Sequence, residues 1–254
     1  MTAADGAGPA GSAYLVRLGT GRASAAAAGP RADLLDRCAG AGLPVPAGSV
    51  LLDEVRRSNG TDLADLLGTL DPAEVVTLRS AFAAPGPLPS RTIQAIPGDD
   101  GPGLVAAVQA IWATGTAAAV RRTDVVLLTH VSGVQAGVAA TEPGRDDVVS
   151  WREVTPEARS LGRPDDVGRW AAAPLGPRDR PHRAVDRIPL PPWGMRLTRL
   201  LRAVRQVVGV DRWDVEWVDD GTRCWLLGVQ PGFGEVGRDG LNRRPHGRVA
   251  GNTP

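Results

Sequence analysis

Read for its apolar positions alone, the chain switches between a period near 3.6 and a period of two. Leu104, Val105, Val108, Ile111 and Trp112 fall at three-and-four spacing, which predicts an amphipathic helix over residues 104–121 with one buried face. Leu197, Leu200, Leu201, Val204, Val207 and Val208 repeat that spacing and predict a second helix over residues 195–208. RADLLDRCAGAG, from Arg31, reads as a shorter helix ending at Gly40 or Gly42, where glycine supplies a left-handed cap. TDLADLLGTL reads as another, with Thr61 as its N-cap. Compact apolar runs predict strands at YLVRL, GSVLL, VVTLRS and VVLLTHV. The prolines of LPVPAG force an extended turn, and AAPGPLPS reads as a loop.

Residues 144–187 are rich in Arg, Asp and Pro and show little periodicity, which predicts surface loop with short elements. Residues 1–12 read as a disordered leader and residues 232–254 as a flexible polar tail, leaving 13–231 as the folded unit. Helices and strands alternate irregularly, so the expected class is a mixed α/β (α+β) domain. No repeat of fixed period is present.

The most informative period-two stretch is WDVEWVDDGTRCWLLGVQP, which starts at Trp213 and places one acid, Glu216, inside an apolar hairpin. Asp219, Asp220 and Gly221 suit a three-residue loop, a type I turn followed by a left-handed glycine. In that register Val218 opposes Thr222 and Glu216 opposes Cys224, and positions 226, 228 and 230 share the Glu216 face. Trp213, Val215, Trp217, Trp225 and Leu227 then form the core side. A two-residue loop would instead move position 228 to the opposite face. Taken by its pattern, Glu216 sits either on an exposed sheet face or toward whatever covers that face.

Composition narrows the classes of function. With 254 residues and 43% apolar content the chain can bury a core, and a net charge of +1 gives no general pull toward nucleic acid or an anionic membrane. No apolar run is long enough to span a bilayer and no signal peptide opens the sequence, so the expected location is the cytoplasm, with neither nucleic acid nor membrane as partner. Cys38 and Cys224 match no metal spacing and are expected as ordinary buried thiols. All 29 basic residues are arginine, which excludes Schiff-base or P-loop lysine chemistry.

Several motifs dissolve on inspection. GFGEVG follows a strand, but no helix and strand follow it, as a dinucleotide fold requires. GTGRAS after YLVRL lacks the third glycine, and Gly29-Pro30 stops any helix within a few residues, so a flexible connection is expected there. His130, His182 and His246 are scattered and predict no zinc site or hydrolytic triad. The arginines of LNRRPHGR have no aromatic interleaving and read as a solvated tail.

Five segments, in order, carry a family resemblance. GPRADLLDRCAGAGLPVPAGSVLL resembles G-G-K-A-x-x-L…A-G-L-P-V-P-x-G-F-V-L, and VVTLRSAF resembles V-A-V-R-S-S. LVAAVQAIWAT is similar to a helix ending in V-W-A-S, and VLLTHVSGVQAGVAATEP to V-V-V-Q-x-M-V…S-G-V-x-F-T-x-D-P. DVEWVDDGTRCWLLGVQP is similar to a D-[IV]-E-W strand followed by L-Q-A-R-P. These motifs belong to the N-terminal nucleotide domain of pyruvate phosphate dikinase and phosphoenolpyruvate synthase, and the resemblance covers residues 14–231.

The resemblance implies an ATP-grasp-like nucleotide-binding domain that uses ATP and Mg2+. Arg31 would stand for a phosphate-contacting lysine, Arg79 for an ATP-contacting arginine, and Glu216 for a residue that binds nucleotide and holds magnesium. The departures matter as much. Gly228 stands where the family has Gln, Gln230 where it has Arg, Thr129 where it has the Gln of V-Q, and the acidic pair after R-S-S-A is missing from AFAAPG. Nothing here resembles the phosphohistidine or pyruvate/PEP domains of the complete reaction. The resemblance therefore implies a kinase-type phosphotransferase domain acting with a separate phosphate-accepting protein or small molecule. The alternative is a catalytically degenerate pseudoenzyme that serves as a binding or regulatory module.

Overall fold

The computed structural model describes residues 13–58, 62–83, 92–144, 147–154, 168–172 and 191–232. The expected leader, the GFGEVG and LNRRPHGR motifs beyond Gly232, His182, His246, Thr61 and most of the AAPGPLPS loop lie outside them. The architecture is mixed α/β, built on two five-stranded sheets with antiparallel pairing throughout. The first sheet joins β1 (Leu15–Arg17), β2 (Gly48–Leu51), β5 (Arg122–Thr129), β3 (Val75–Ala83) and β4 (Thr92–Pro97), in that spatial order. The second runs β10 (Cys224–Pro231), β9 (Trp213–Asp219), β6 (Gln135–Thr141), β7 (Asp147–Glu153) and β8 (Gly168–Ala172).

Period-two alternation divides the first sheet cleanly. Val76, Leu78 and Phe82 of β3, with Val125 and Leu127 of β5, enter one core, shared with Leu104, Val108 and Ile111 of α5 (Gly101–Ala117) and with Leu66 and Leu67 of α4 (Leu63–Leu67). The opposite face turns Ala81, Val126 and Leu128 toward a second core, built with α2 (Pro30–Gly40), α6 (Pro192–Val208) and the inner face of the second sheet. Helix α2 packs against β3 and β5 of one sheet and against β10 of the other. It is the wedge that holds the two sheets in register.

Most predicted elements form, with shifts that have local causes. Helix α5 starts before Leu104, because Asp100 caps it by accepting from Gly103 N at 2.9 Å. It stops at Ala117, short of the expected 121. Helix α4 is capped by Asp62, whose carboxylate accepts from Ala64 N at 2.8 Å. Helix α6 starts at Pro192, and its fixed φ suits the first helical turn. Five elements lie where the sequence pattern gave no strand or helix: α3 (Glu54–Arg57), β4, β6, β7 and β8. The last two cross the segment expected to be mainly loop; β8 is the edge strand of its sheet and β7 lies between it and β6. GTGRAS is no flexible connection but a tight turn and a one-turn helix, α1 (Arg22–Ala25).

The C-terminal hairpin departs from its expected register in an instructive way. Asp219 pairs with Cys224, so the loop is one residue longer than expected. One side chain holds it: the Asp220 carboxylate accepts from Thr222 N at 2.8 Å, Arg223 N at 2.7 Å and Trp225 Nε1 at 2.7 Å. Gly221, at φ 95°, supplies the left-handed position. Leu226 therefore faces Trp217 in the core rather than sharing the Glu216 face, and Trp225 stands opposite Val218. The register then slips between Leu226 and Gly228, a bulge that restores Gly228 opposite Glu216 and Gln230 opposite Asp214. Positions 228 and 230 thus lie on the Glu216 face as expected, by a different route.

Both cysteines are free and buried. Burial pushes the Cys38 thiol up to about 11 and Cys224 up to about 12, which makes both poor nucleophiles. Among the described residues no helix is long and apolar enough to cross a membrane.

Candidate functional site

Arg31 enters the site from the first turn of α2. It shares a helical face with Leu35 and Cys38, four and seven residues on, both fully buried. The helix start is pinned against the first sheet: Gly29 N donates to Asp124 Oδ2 at 2.7 Å, and a Cβ at position 29 would stand 2.2 Å from the Ala81 carbonyl. Only glycine permits that approach. It brings Arg31 over β3, where alternation already sends Arg79 to the α2 side.

Glu216 arrives from the other sheet and meets both arginines. Arg31 Nη2 donates to Glu216 Oε1 at 2.6 Å, and Arg79 Nη2 pairs with Glu216 Oε2. Arg31 Nη2 also donates to Gln230 Oε1 at 2.7 Å, and Nη1 to the Ser80 carbonyl at 3.4 Å. The arginine side chains are 6% and 8% exposed, and that of Glu216 is 16% exposed. Desolvation pulls the Arg31 guanidinium down to about 10; it pulls Arg79 down to about 9, with the charge of Arg31 adding to the effect. Both stay cationic at neutral pH. Two guanidiniums facing one carboxylate in a poorly hydrated place make a seat suited to the paired oxygens of an anion.

Arg79 also lines a cleft between the sheets. The other walls come from Thr77 and Thr129, the linker at residues 130–133, and Val218 and Leu227 of the hairpin. His130 in the linker is held by Thr77, with Oγ1 and Nδ1 3.0 Å apart, the satisfied histidine expected from its isolation. Two polar atoms of the lining residues, Arg79 Nε and Thr129 Oγ1, are buried with no hydrogen-bond partner among the described residues. A buried donor left unpaired is costly, so such atoms mark a place where a polar ligand would be stabilised.

The structure thus brings together the three residues singled out from sequence, Arg31, Arg79 and Glu216, although they come from three elements and two sheets. Sequence reasoning missed Gln230, read there only as the loss of a charge; its amide oxygen is an acceptor for Arg31. It also missed the cleft, because Thr77 and Thr129 become neighbours only through strand pairing. Gly228 lies directly beneath the ion pair, where an added Cβ would stand 3.7 Å from Arg31 Nε and from Glu216 Cδ. Among the described residues no group of three or more His, Cys, Asp or Glu side chains could hold a metal ion.

No family model and no curated protein matches this sequence. Solved structures do align with it at low identity. The ATP complex of D-alanine–D-alanine ligase from Bacillus anthracis aligns at 11% identity and TM-score 0.43, covering 78% of this chain and 53% of the ligase. A RimK domain ATP-grasp protein from Sphaerobacter thermophilus aligns at 19% identity and TM-score 0.41, over 82% of this chain and 61% of that one. The macrocyclase MdnC from Microcystis aeruginosa, bound to precursor peptide MdnA, gives 9% identity and TM-score 0.38, over 77% and 50%. This chain therefore spans between 50% and 61% of the length of these structures. None of the three is a pyruvate phosphate dikinase or a phosphoenolpyruvate synthase.

Proposed function

We propose that the protein is a nucleoside-triphosphate-binding domain of the ATP-grasp kind, with the base in the cleft between the sheets and the phosphates at its Arg31–Arg79 end. One observation carries this reading: Arg79 belongs at once to the cleft wall and to the ion pair with Glu216. A ligand with a flat polar body and an anionic tail suits that continuity. The apolar surfaces of Val218 and Leu227 would flank the base, and the unpaired Thr129 hydroxyl would meet its polar edge. The order of the five sequence segments supports the same reading independently.

Magnesium fits the donor set poorly. Both Glu216 oxygens are engaged by guanidiniums, and the described residues offer no cluster of further ligands beside it. Mg2+ demands near-octahedral oxygen coordination and is commonly held by one or two carboxylates together with substrate phosphates. The role of magnesium ligand for Glu216 rests on the resemblance alone. We assign no chemical step to the metal. This observation favours the second class of function, a binding or regulatory module, over a kinase-type phosphotransferase with a separate acceptor. Loss of one preorganised contact to a transferring phosphoryl group costs about 10²- to 10³-fold in rate, and two positions of the hairpin, Gly228 and Gln230, have changed.

Thermal unfolding with and without Mg-ATP tests the proposal. Ligand at a hundred times its dissociation constant adds about 2.7 kcal/mol, which for a domain of this size raises Tm by about 5–10 °C. An unchanged Tm at millimolar Mg-ATP overturns nucleotide binding. A shift of equal size when the metal is chelated supports the metal-independent module.

A further inference from the structure

We propose that Glu216 is a built-in occupant of the anion seat formed by Arg31 and Arg79, and that a phosphate-bearing ligand enters by displacing its carboxylate. The inference rests on the nucleotide-binding reading above and states how that same site is gated. A carboxylate and a phosphoryl group offer a guanidinium the same paired oxygen acceptors. Glu216 uses one oxygen on each arginine, the bridging geometry a terminal phosphate would adopt.

The surroundings allow Glu216 to leave. Its partner on β10 is Gly228, which has no side chain to hold it. Its partner on β6 is Val138, 42% exposed. The carboxylate therefore borders exposed surface on the β6 side and no side chain on the β10 side, whereas both arginines are more deeply buried. Glu216 is also the most exposed member of the triad. When it swings out, Arg31 keeps the Gln230 amide and the Ser80 carbonyl as partners, so the seat survives. Ligand binding must then break two charge-assisted contacts before it makes its own, which weakens binding by the same amount.

Tripolyphosphate, titrated calorimetrically in metal-free buffer, is the probe. The Glu216→Gln protein is expected to bind it about tenfold more tightly or better than wild type, since a hydrogen bond to a charged group is worth at least that factor. Equal or weaker binding by Glu216→Gln overturns displacement and leaves nucleotide binding intact. If neither protein binds tripolyphosphate while Mg-ATP still raises Tm, displacement falls alone; if Mg-ATP has no effect either, both readings fall. Should Glu216→Gln fail to fold in plain buffer, tripolyphosphate must restore its melting transition by supplying the missing anion. No restoration overturns the proposal.

Discussion

Asp36 and Glu216 both occupy a seat made for an anion, and the two seats are built from different material. Asp36 sits beneath the GTGRAS turn, where Oδ1 accepts from Gly19 N at 2.6 Å and Gly21 N at 3.4 Å. Its other oxygen, Oδ2, accepts from Ala23 N at 3.0 Å and Ser24 N at 3.4 Å. Positive φ values of 83° at Gly19 and 73° at Gly21 turn those amides inward, as in the nests that bind phosphate elsewhere. Here the chain supplies the anion itself, and Asp36 is 1% exposed. Glu216 is held by side chains of α2 and β3, each with its own rotamers, and borders open space. A seat made of backbone forms only as its loop folds around the anion, so anion and fold stand together. A seat made of arginines exists before its occupant and can exchange it.

The sharpest way to break this comparison is Asp36→Asn. It keeps the shape but removes the charge that four amides converge on. Expected destabilisation is about 2–4 kcal/mol, read as a fall in Tm of about 5–15 °C, with no gain in tripolyphosphate binding. A stable Asp36→Asn protein that acquired anion binding would show that the glycine turn is also exchangeable. Arg79→Met should behave in the opposite manner. Removing one member of a buried ionic group costs about 3–5 kcal/mol where it strands an uncompensated charge, but here Glu216 keeps Arg31. The expected change in stability is about 1 kcal/mol, with the Mg-ATP shift in Tm abolished. If Arg79→Met instead fell as far as Asp36→Asn, the arginine seat would be as structural as the backbone one.

The same kind of signal marked both carboxylates, and only one was followed from sequence. Glu216 stood out as an acid in an apolar strand pattern. Asp36 follows Ala32 by four and Leu35 by one on a helix whose buried residues, Arg31 aside, are otherwise apolar, which is equally anomalous. Its partner turn looked like a failed phosphate loop, and sequence spacing does not reveal that an anion for it lies on the next helix. The strand containing Arg79 and the helix containing Arg31 were legible because their periodicity is local. The meeting of Arg31, Arg79 and Glu216 was reached through a family resemblance, since pairing across two sheets leaves no periodic trace. The weakly patterned strand β8 stayed hidden for the related reason that an edge position asks little of its side chains. The hairpin register turned on Asp220, because one carboxylate gathering several donors lengthened the loop, and a bulge then restored the parity.

Gly228→Gln tests the exchangeable seat with the smallest disturbance. A Cβ there meets only ordinary van der Waals contacts at 3.7 Å, and the backbone of residue 228 is not among the positive-φ glycines. Gly228 is buried, so stability should fall by about 1 kcal/mol, the usual cost of a substitution that neither clashes nor buries an unpaired charge. The added amide would stand against the Arg31–Glu216 pair on the β10 side of the carboxylate. If displacement toward β10 is how the seat opens, Gly228→Gln weakens tripolyphosphate binding in the wild-type background but leaves the Glu216→Gln protein unaffected, because that protein has no carboxylate to move. Equal weakening in both backgrounds would mean that the new side chain obstructs the ligand itself. The opening would then lie on the Val138 side, and the absence of a side chain at position 228 would make room for phosphate rather than for glutamate.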